Sequence, residues 1–408
     1  MTAPTLAGLH PARRTDLQLS GPLWRGPAVV HLVRDPVAGR TYELGPKEFF
    51  VLARLDGERT LGEIGEAYAQ QFRTRLGDAH WSRLLGLLGT RRLLAGAPPA
   101  ATPPAPPRPR STLLNGRSKL VADAPALIER LHRAAAPALR PAVLAALAVA
   151  VLAMLGLLAA DAGRLLDGTG TLYTGQPVTL TAVGVLLWLS LAGHELAHGL
   201  AARAFGGSVS EIGLRWRLPF VYTYCTVDDV PVLPRRREQI VTAAAGAAAN
   251  LVFLLPVAVL WLLLPERAQA RPAVAGLLVL GVTIAAANLV PLPPLDGYKI
   301  LGYALRVDRL AEGSRGFLAV LARRAVGRGP GPGAYPRRLR WVYGTYGLFV
   351  VAVATAVVAW FVVVGSRLLA DRWGRGAGLL PALLLAALLV LWGAGRLARR
   401  RRSTEVTA

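Results

Sequence analysis

The chain is short of charge, of lysine and of cysteine. Only 17% of its 408 residues are charged, against about 25% in soluble domains, while 53% are hydrophobic and mean hydropathy is +0.41. That deficit excludes a disordered polyelectrolyte and argues against a purely soluble enzyme. The single cysteine, Cys225, excludes an intramolecular disulfide, so nothing calls for an oxidising compartment. Lysine supplies only 3 of the 47 basic residues, an arginine bias that reads as a GC-rich genome rather than as function. The first 20 residues lack an apolar core of signal-peptide length, so the N-terminal part is expected to stay in the cytoplasm.

What is present is apolar length and positive charge. Six runs, roughly 142–160, 178–202, 240–264, 273–291, 342–365 and 377–395, are each long enough to cross about 30 Å of hydrocarbon. With the N-terminus inside, segments 206–239, 297–340 and the tail from Arg396 carry 5, 10 and 5 basic residues, and the opposite loops 161–177, 265–272 and 366–376 carry 1, 2 and 3. Twenty against six is a positive-inside pattern. It predicts a multi-pass protein of the cytoplasmic membrane with both termini cytoplasmic, and it accounts for much of the net charge of +23 without nucleic acid.

The expected fold is mainly α: a polytopic helix bundle of about six spans with a small N-terminal α+β domain of winged-helix type. Residues 1–95 form that domain, with strands at Ala28–Arg34 and Arg40–Leu44 around a turn at Asp35–Gly39. A helix follows Pro46, a second begins at the Thr60/Glu63 capping box and runs to about Phe72, and a third covers about 78–94. Residues 96–141 are linker and juxtamembrane segment. Seven prolines between 97 and 109 make the linker stiff and extended, and the amphipathic stretch 120–139 is expected on the membrane surface. Residues 142–396 are the membrane domain and 397–408 a basic tail. The first 95 residues hold 13 basic and 9 acidic residues, too balanced for a strong phosphate-binding face, which weighs against a DNA-reading domain.

The second span contains His194-Glu-Leu-Ala-His198. Residues four apart share a helix face, so two imidazoles can bind one zinc ion while Glu195 serves as base toward a water. By chance the motif arises roughly once in four hundred shuffled chains of this composition. Imidazoles and a carboxylate inside a span are expensive and functional by default; the competing reading is a helix-packing hydrogen-bond cluster. Catalytic zinc usually takes three protein ligands. Asp296, in Asn288-Leu-Val-Pro-Leu-Pro-Pro-Leu-Asp-Gly297, is the best third: the prolines end the helix, and non-helical backbone at membrane depth must be buried or line a wet cavity. Otherwise Asp296-Gly297 is an interfacial turn. In the third span, Gly246 and Asn250 sit in a run of small residues that admits close helix approach. Asn250 either touches substrate or packs between helices. Alternation from Ile212 to Phe220 predicts a hairpin, either one dipping into the membrane whose free edge would take an extended substrate or an ordinary cytoplasmic hairpin. Cys225 is a ligand candidate, but a lone cysteine is more often a small buried hydrophobe. His10, His31, His80 and His132 lack partner spacing and read as structural.

His194-Glu-Leu-Ala-His198, the Gly246/Asn250 pair and Leu295-Asp-Gly297 together resemble the site-2 protease family of intramembrane zinc metalloproteases, over roughly residues 178–300. The resemblance implies Zn2+ on His194, His198 and Asp296, Glu195 as catalytic base, and substrate contacts at Asn250, Gly246 and Asn288. Ala247 stands where that family often has proline. Pro234-Arg-Arg-Arg237 and Asp296-Gly-Tyr-Lys-Ile300 are similar to a peptide zinc metalloprotease branch often encoded beside ribosomally made, modified peptides. Arg14-Thr-Asp-Leu17, Asp35–Arg40 and Leu55–Leu61 resemble the small peptide-binding domain typified by the pyrroloquinoline quinone chaperone. The implied activity is hydrolysis of a membrane-associated peptide, as leader removal or maturation, with the leader gripped by the N-terminal domain. The alternatives are regulated proteolysis of a membrane-anchored signalling protein, or a non-catalytic peptide-binding or export partner.

Overall fold

The computed structural model describes residues 6–96, 112–172, 177–327, 329, 331–374 and 376–384. The Pro-rich linker at 97–109, most of the sixth apolar run and the basic tail lie outside the described residues.

The N-terminal region opens with two short strands, β1 (Gln18–Leu19) and β2 (Leu23–Arg25), which pair successively along one side of β3 (Ala28–Asp35), while β4 (Arg40–Leu44) pairs along the other. Ser20 joins β1 to β2: its Oγ accepts the Leu32 N–H at 2.7 Å. Sequence alone misses β1 and β2 because two or three residues cannot show alternation. Three helices follow, α1 (Pro46–Arg54), α2 (Leu61–Phe72) and α3 (Asp78–Thr90). The predicted capping box at Thr60/Glu63 is present. α3 stops short of the expected Leu94, because Arg92 takes a left-handed conformation (φ 55°) and Leu93 turns into the core. Val33, Leu52, Leu55, Leu61, Ile64 and Leu88 fill that core.

The chain then forms β5 (Asn115–Lys119) and α4 (Ala124–Ala135), followed by α5 (Pro141–Ala160), α6 (Ala162–Leu172) and α7 (Pro177–Ala204). The hairpin β6 (Glu211–Arg217) and β7 (Phe220–Thr226) leads to α8 (Arg236–Leu263), α9 (Arg271–Asn288) and α10 (Asp296–Leu305). α11 (Leu310–Ala325) and α12 (Arg337–Trp373) follow. Five helices, α5, α7, α8, α9 and α12, are long and apolar enough to cross a membrane. They coincide with the first five predicted runs, because continuous apolar length is what a bilayer selects.

Contacts divide the chain into Met1–Leu310 and Ala311–Ala408. The N-terminal strands and helices fall in the same contact unit as α5–α10. In that unit Met154, Leu254, Trp261 and Leu278 form the centre of the membrane-helix core. In the second unit Tyr343 of α12 is fully buried and packs against the rings of Phe317 and Tyr335.

Two expectations change. The amphipathic helix α4 does not offer its apolar face to lipid alone: Ala124 and Ile128 are buried with Val209 and Ile212. One edge of the hairpin is taken, since β5 pairs along β6 from Asn115↔Arg217 to Lys119↔Gly213, while β7 is the edge strand on the other side. The segment Asn-Gly-Arg-Ser-Lys has no apolar alternation, so its pairing, made through the backbone, leaves no trace in hydropathy.

Arg14 binds the buried Asp35 through two guanidinium nitrogens at 2.8 and 2.9 Å. Burial pushes the Asp35 carboxyl up, but Arg14 and the N–H groups of Ala38 and Val37 outweigh it and hold the group below its ordinary range. A carboxyl lowered on folding stabilises above its unfolded value of about 3.9, and the contribution disappears as pH falls through the folded value. Hydrogen-exchange protection factors across residues 28–55, taken relative to the intrinsic rate at each pH, should therefore fall below about pH 4, and Asp35→Asn should flatten that dependence. Arg14→Ala should destabilise this region at pH 7 by about 3 kcal/mol, as expected when one partner of a buried pair is removed.

Candidate metal centre

The site grows from one helical turn. His194 and His198 project from the same face of α7, with ring centroids 4.8 Å apart and ring planes nearly perpendicular. The two Nε2 atoms lie 3.2 Å apart. Asp296, the first residue of α10, brings its Oδ2 to 2.9 Å from His194 Nε2 and 3.1 Å from His198 Nε2. All three side chains are buried, at 3%, 8% and 4% exposure.

Outer contacts aim the inner atoms. His198 Nδ1 lies 2.7 Å from the Thr242 carbonyl of α8. A carbonyl only accepts, so Nδ1 carries the proton and Nε2 presents a lone pair. Asp296 Oδ1 accepts from Lys299 Nζ at 2.9 Å, which leaves Oδ2 directed inward. The Asn250 amide lies 3.1 Å from His194 Nδ1 and 3.2 Å from Ser190 Oγ. A metal on His194 Nε2 requires the proton on Nδ1, facing the amide oxygen, a half-turn of the amide within the same two contacts.

These residues fit a metal ion on the chemistry of the donor set. A carboxylate oxygen and a histidine lone pair, together with the second imidazole, converge on one buried point, and acceptors so crowded repel unless a cation or proton lies between them. Tetrahedral coordination with bonds of about 2.0–2.1 Å puts neighbouring ligand atoms about 3.3 Å apart, close to the separations found. Each candidate ligand also has the outer partner that metal-binding side chains require.

Two glycines make the convergence possible. A Cβ on Gly246 would lie 2.5 Å from His194 Nε2, so α8 can lie against that imidazole only with no side chain there. Gly246 and Asn250 are four apart and both meet His194: one admits the ring and the other holds its Nδ1. A Cβ on Gly297 would lie 2.0 Å from the Leu289 carbonyl oxygen. The proline segment thus folds back tightly on the end of α9, which places Asp296 beside α7.

Glu195 points elsewhere on the turn. It is half-buried, and its Oε2 accepts the Cys225 N–H of β7 at 3.2 Å. With His198, Cys225, Thr242, Lys299 and Tyr303 it lines a cavity of about 300 Å³. The Cys225 thiol is not among the converging donors. Burial, with Glu195 adding, pushes it up to about 12, so it stays a neutral thiol in the manner of a buried hydrophobe.

Of the seven sequence-predicted site residues, His194, His198 and Asp296 converge, Glu195 adjoins them, and Gly246 and Asn250 pack on His194. Asn250 is 2% exposed, which favours the interhelical role over a substrate contact. Asn288 is half-buried at the end of α9, and no hydrogen bond joins its side chain to the triad among the described residues. Sequence reasoning missed Lys299, Thr242 and Ser190. Lys299 carried a usable signal, being one turn beyond Asp296. Thr242 carried none, because it acts through its backbone. Compared with family models, with curated proteins and with solved structures, the chain matches none.

Metal analysis of the purified protein should find one divalent ion per chain, lost in His198→Ala and in Asp296→Ala. Gly246→Ala should lose it too, by displacing His194. Lys299→Met should weaken metal affinity by about tenfold or more, the usual effect of removing an outer partner. Stoichiometric metal in Asp296→Ala would exclude that residue as a ligand.

Proposed function

We propose that the protein is a zinc metalloendopeptidase of the site-2 protease type, hydrolysing a peptide bond of a membrane-associated peptide. The observation that carries this reading is the buried His194–His198–Asp296 cluster with Glu195 on the same turn, facing a cavity. Three ligands and an adjoining carboxylate are the makings of a hydrolytic centre, and a structural site would have no use for the fourth group.

Zinc held by the three residues would supply Lewis acidity toward a water and a carbonyl oxygen. Glu195 is the base: it accepts the proton of the attacking water and returns it to the leaving nitrogen as the C–N bond breaks. The Cys225 N–H holds the Glu195 carboxylate at the cavity wall before substrate arrives. Asn250 and Thr242 keep the two imidazoles in their required orientations, and Lys299 does the same for Asp296. The low-dielectric surroundings strengthen each of these contacts.

Maturation of a ribosomally made peptide is the substrate role we favour. The N-terminal strands and helices would bind the precursor or its leader, as the sequence resemblance implies. The charge asymmetry of the loops supports an orientation in the cytoplasmic membrane with this region, and hence the site's open side, in the cytoplasm.

Precursor peptides encoded beside the gene provide the test. Wild-type protein in detergent should cleave them, and Glu195→Gln should retain its metal while losing about 10²–10⁴ in rate, the usual contribution of a general base. Undiminished cleavage by Glu195→Gln would disprove the mechanism.

A further inference from the structure

We infer that the peptide reaches the metal centre along a cleft walled on one side by strand β2 of the N-terminal region, rather than sideways from lipid or by adding to the hairpin. The inference deepens the protease reading and rests on it.

The first observation is how the N-terminal region is held. Trp24 of β2 donates its N–H to the Arg306 carbonyl at 2.9 Å and accepts from the Asp308 N–H at 2.8 Å, a parallel strand contact with Val307 at its centre. Arg25 binds the Asp308 carboxylate at 2.9 Å. Arg34 of β3 pairs with Asp229, and both are buried, at 6% and 1% exposure. These anchors fall on the segments that frame the site. Asp229 follows β7, whose Cys225 N–H meets Glu195. Residues 306–308 follow α10, which begins with Asp296. The region is docked beside the centre and does not serve as a swinging arm.

The second observation is the space between the anchors. A cleft of about 180 Å³ is lined by Leu23 of β2, Tyr298 and Val307 among others, and by Pro231, Lys299 and Tyr303. The last three also line the cavity that holds Glu195 and His198. The two spaces therefore adjoin across three shared wall residues, one bordered by β2 and the other by His198 and Glu195.

The third observation is that both edges of the hairpin are already engaged, in whole or in part. β5 covers the outer edge of β6. On β7, the Val221 carbonyl accepts from Trp188 Nε1 at 2.9 Å and the Cys225 N–H is held by Glu195, so α7 closes that edge at two of its groups. The occupant is an extended peptide coming from the cytoplasmic side, flanked by Tyr298 and Tyr303; a helix, about 10–12 Å across with its side chains, would have to unwind to follow the same course.

Cys225, the one cysteine of the chain, lines the inner cavity and reports entry without any cleavage. Because methanethiosulfonates react through the thiolate and burial keeps this thiol neutral, its labelling by a water-soluble methanethiosulfonate is followed over a long time course at mildly alkaline pH by mass spectrometry on the full-length protein in detergent, each rate being taken relative to wild type. Leu23→Trp should slow labelling at least tenfold and Leu23→Ala should speed it, while Val185→Trp, at an exposed position on α7 (53%), should leave it unchanged. A rate indifferent to residue 23, a rise in both Leu23 variants, or slowing by Val185→Trp would overturn the inference, the last by pointing to entry from lipid. Because no bond is cut in this assay, its failure is distinct from a failure of Glu195→Gln to abolish cleavage.

Discussion

Buried acceptors that face one another are the constraint from which the rest of the membrane unit follows. The carboxylate oxygen, the His198 lone pair and the His194 imidazole cannot sit about 3 Å apart in a medium of low dielectric without a cation or a proton between them. The surrounding structure spends its polar groups on keeping them there. The Thr242 carbonyl, the Asn250 amide and the Lys299 ammonium each take the outer atom of one group and so turn the inner atom toward the common point. An apolar helix bundle has few such groups, and the concentration of nearly all of them on one locus is itself an argument for function.

Helix α8 does most of this work through backbone and small side chains. Close approach to α7 depends on Gly246, whose missing Cβ leaves room for the His194 ring, and on the alanines around it. Close approach also brings a backbone carbonyl within reach of His198. On the other side, the proline segment after α9 breaks the helix where lipid would not tolerate it, and Gly297 lets the broken chain fold against Leu289. Asp296 thereby arrives at the head of a new helix, with Lys299 one turn behind it. The same placement that makes Asp296 a candidate ligand also supplies its partner.

Docking of the N-terminal region alters how recognition and chemistry relate. A domain on a long Pro-rich linker suggests capture at a distance, with proximity raising the local concentration of substrate. The buried Arg34–Asp229 pair and the strand contact at Val307 instead fix β2 beside α10. Removing either partner of a buried pair is strongly unfavourable, so the arrangement is held by the same polar economy that orders the metal site.

The candidate metal triad was legible because it depends on local spacing and on composition. His194 and His198 share a face by helix geometry alone, and Asp296 stood out as a carboxylate beside prolines at the end of an apolar run. Five spans were legible for a similar reason: hydrocarbon demands continuous apolar length, which is a one-dimensional property. The capping box at Thr60/Glu63 and the strands β3 and β4 were likewise written in local pattern. What hydropathy could not carry was contact made by backbone or across distance. β5 pairs through N–H and C=O groups that every residue possesses, β1 and β2 are too short to show a period, and Thr242 acts by its carbonyl. Asn250 could be placed near the site but not assigned, since only the packing of α8 on α7 turns its amide toward His194. The sequence determined which side chains could bind a metal and which segments could cross a membrane; tertiary structure decided how they are aimed and what stands beside them, because orientation and docking arise from contacts between segments far apart in the chain.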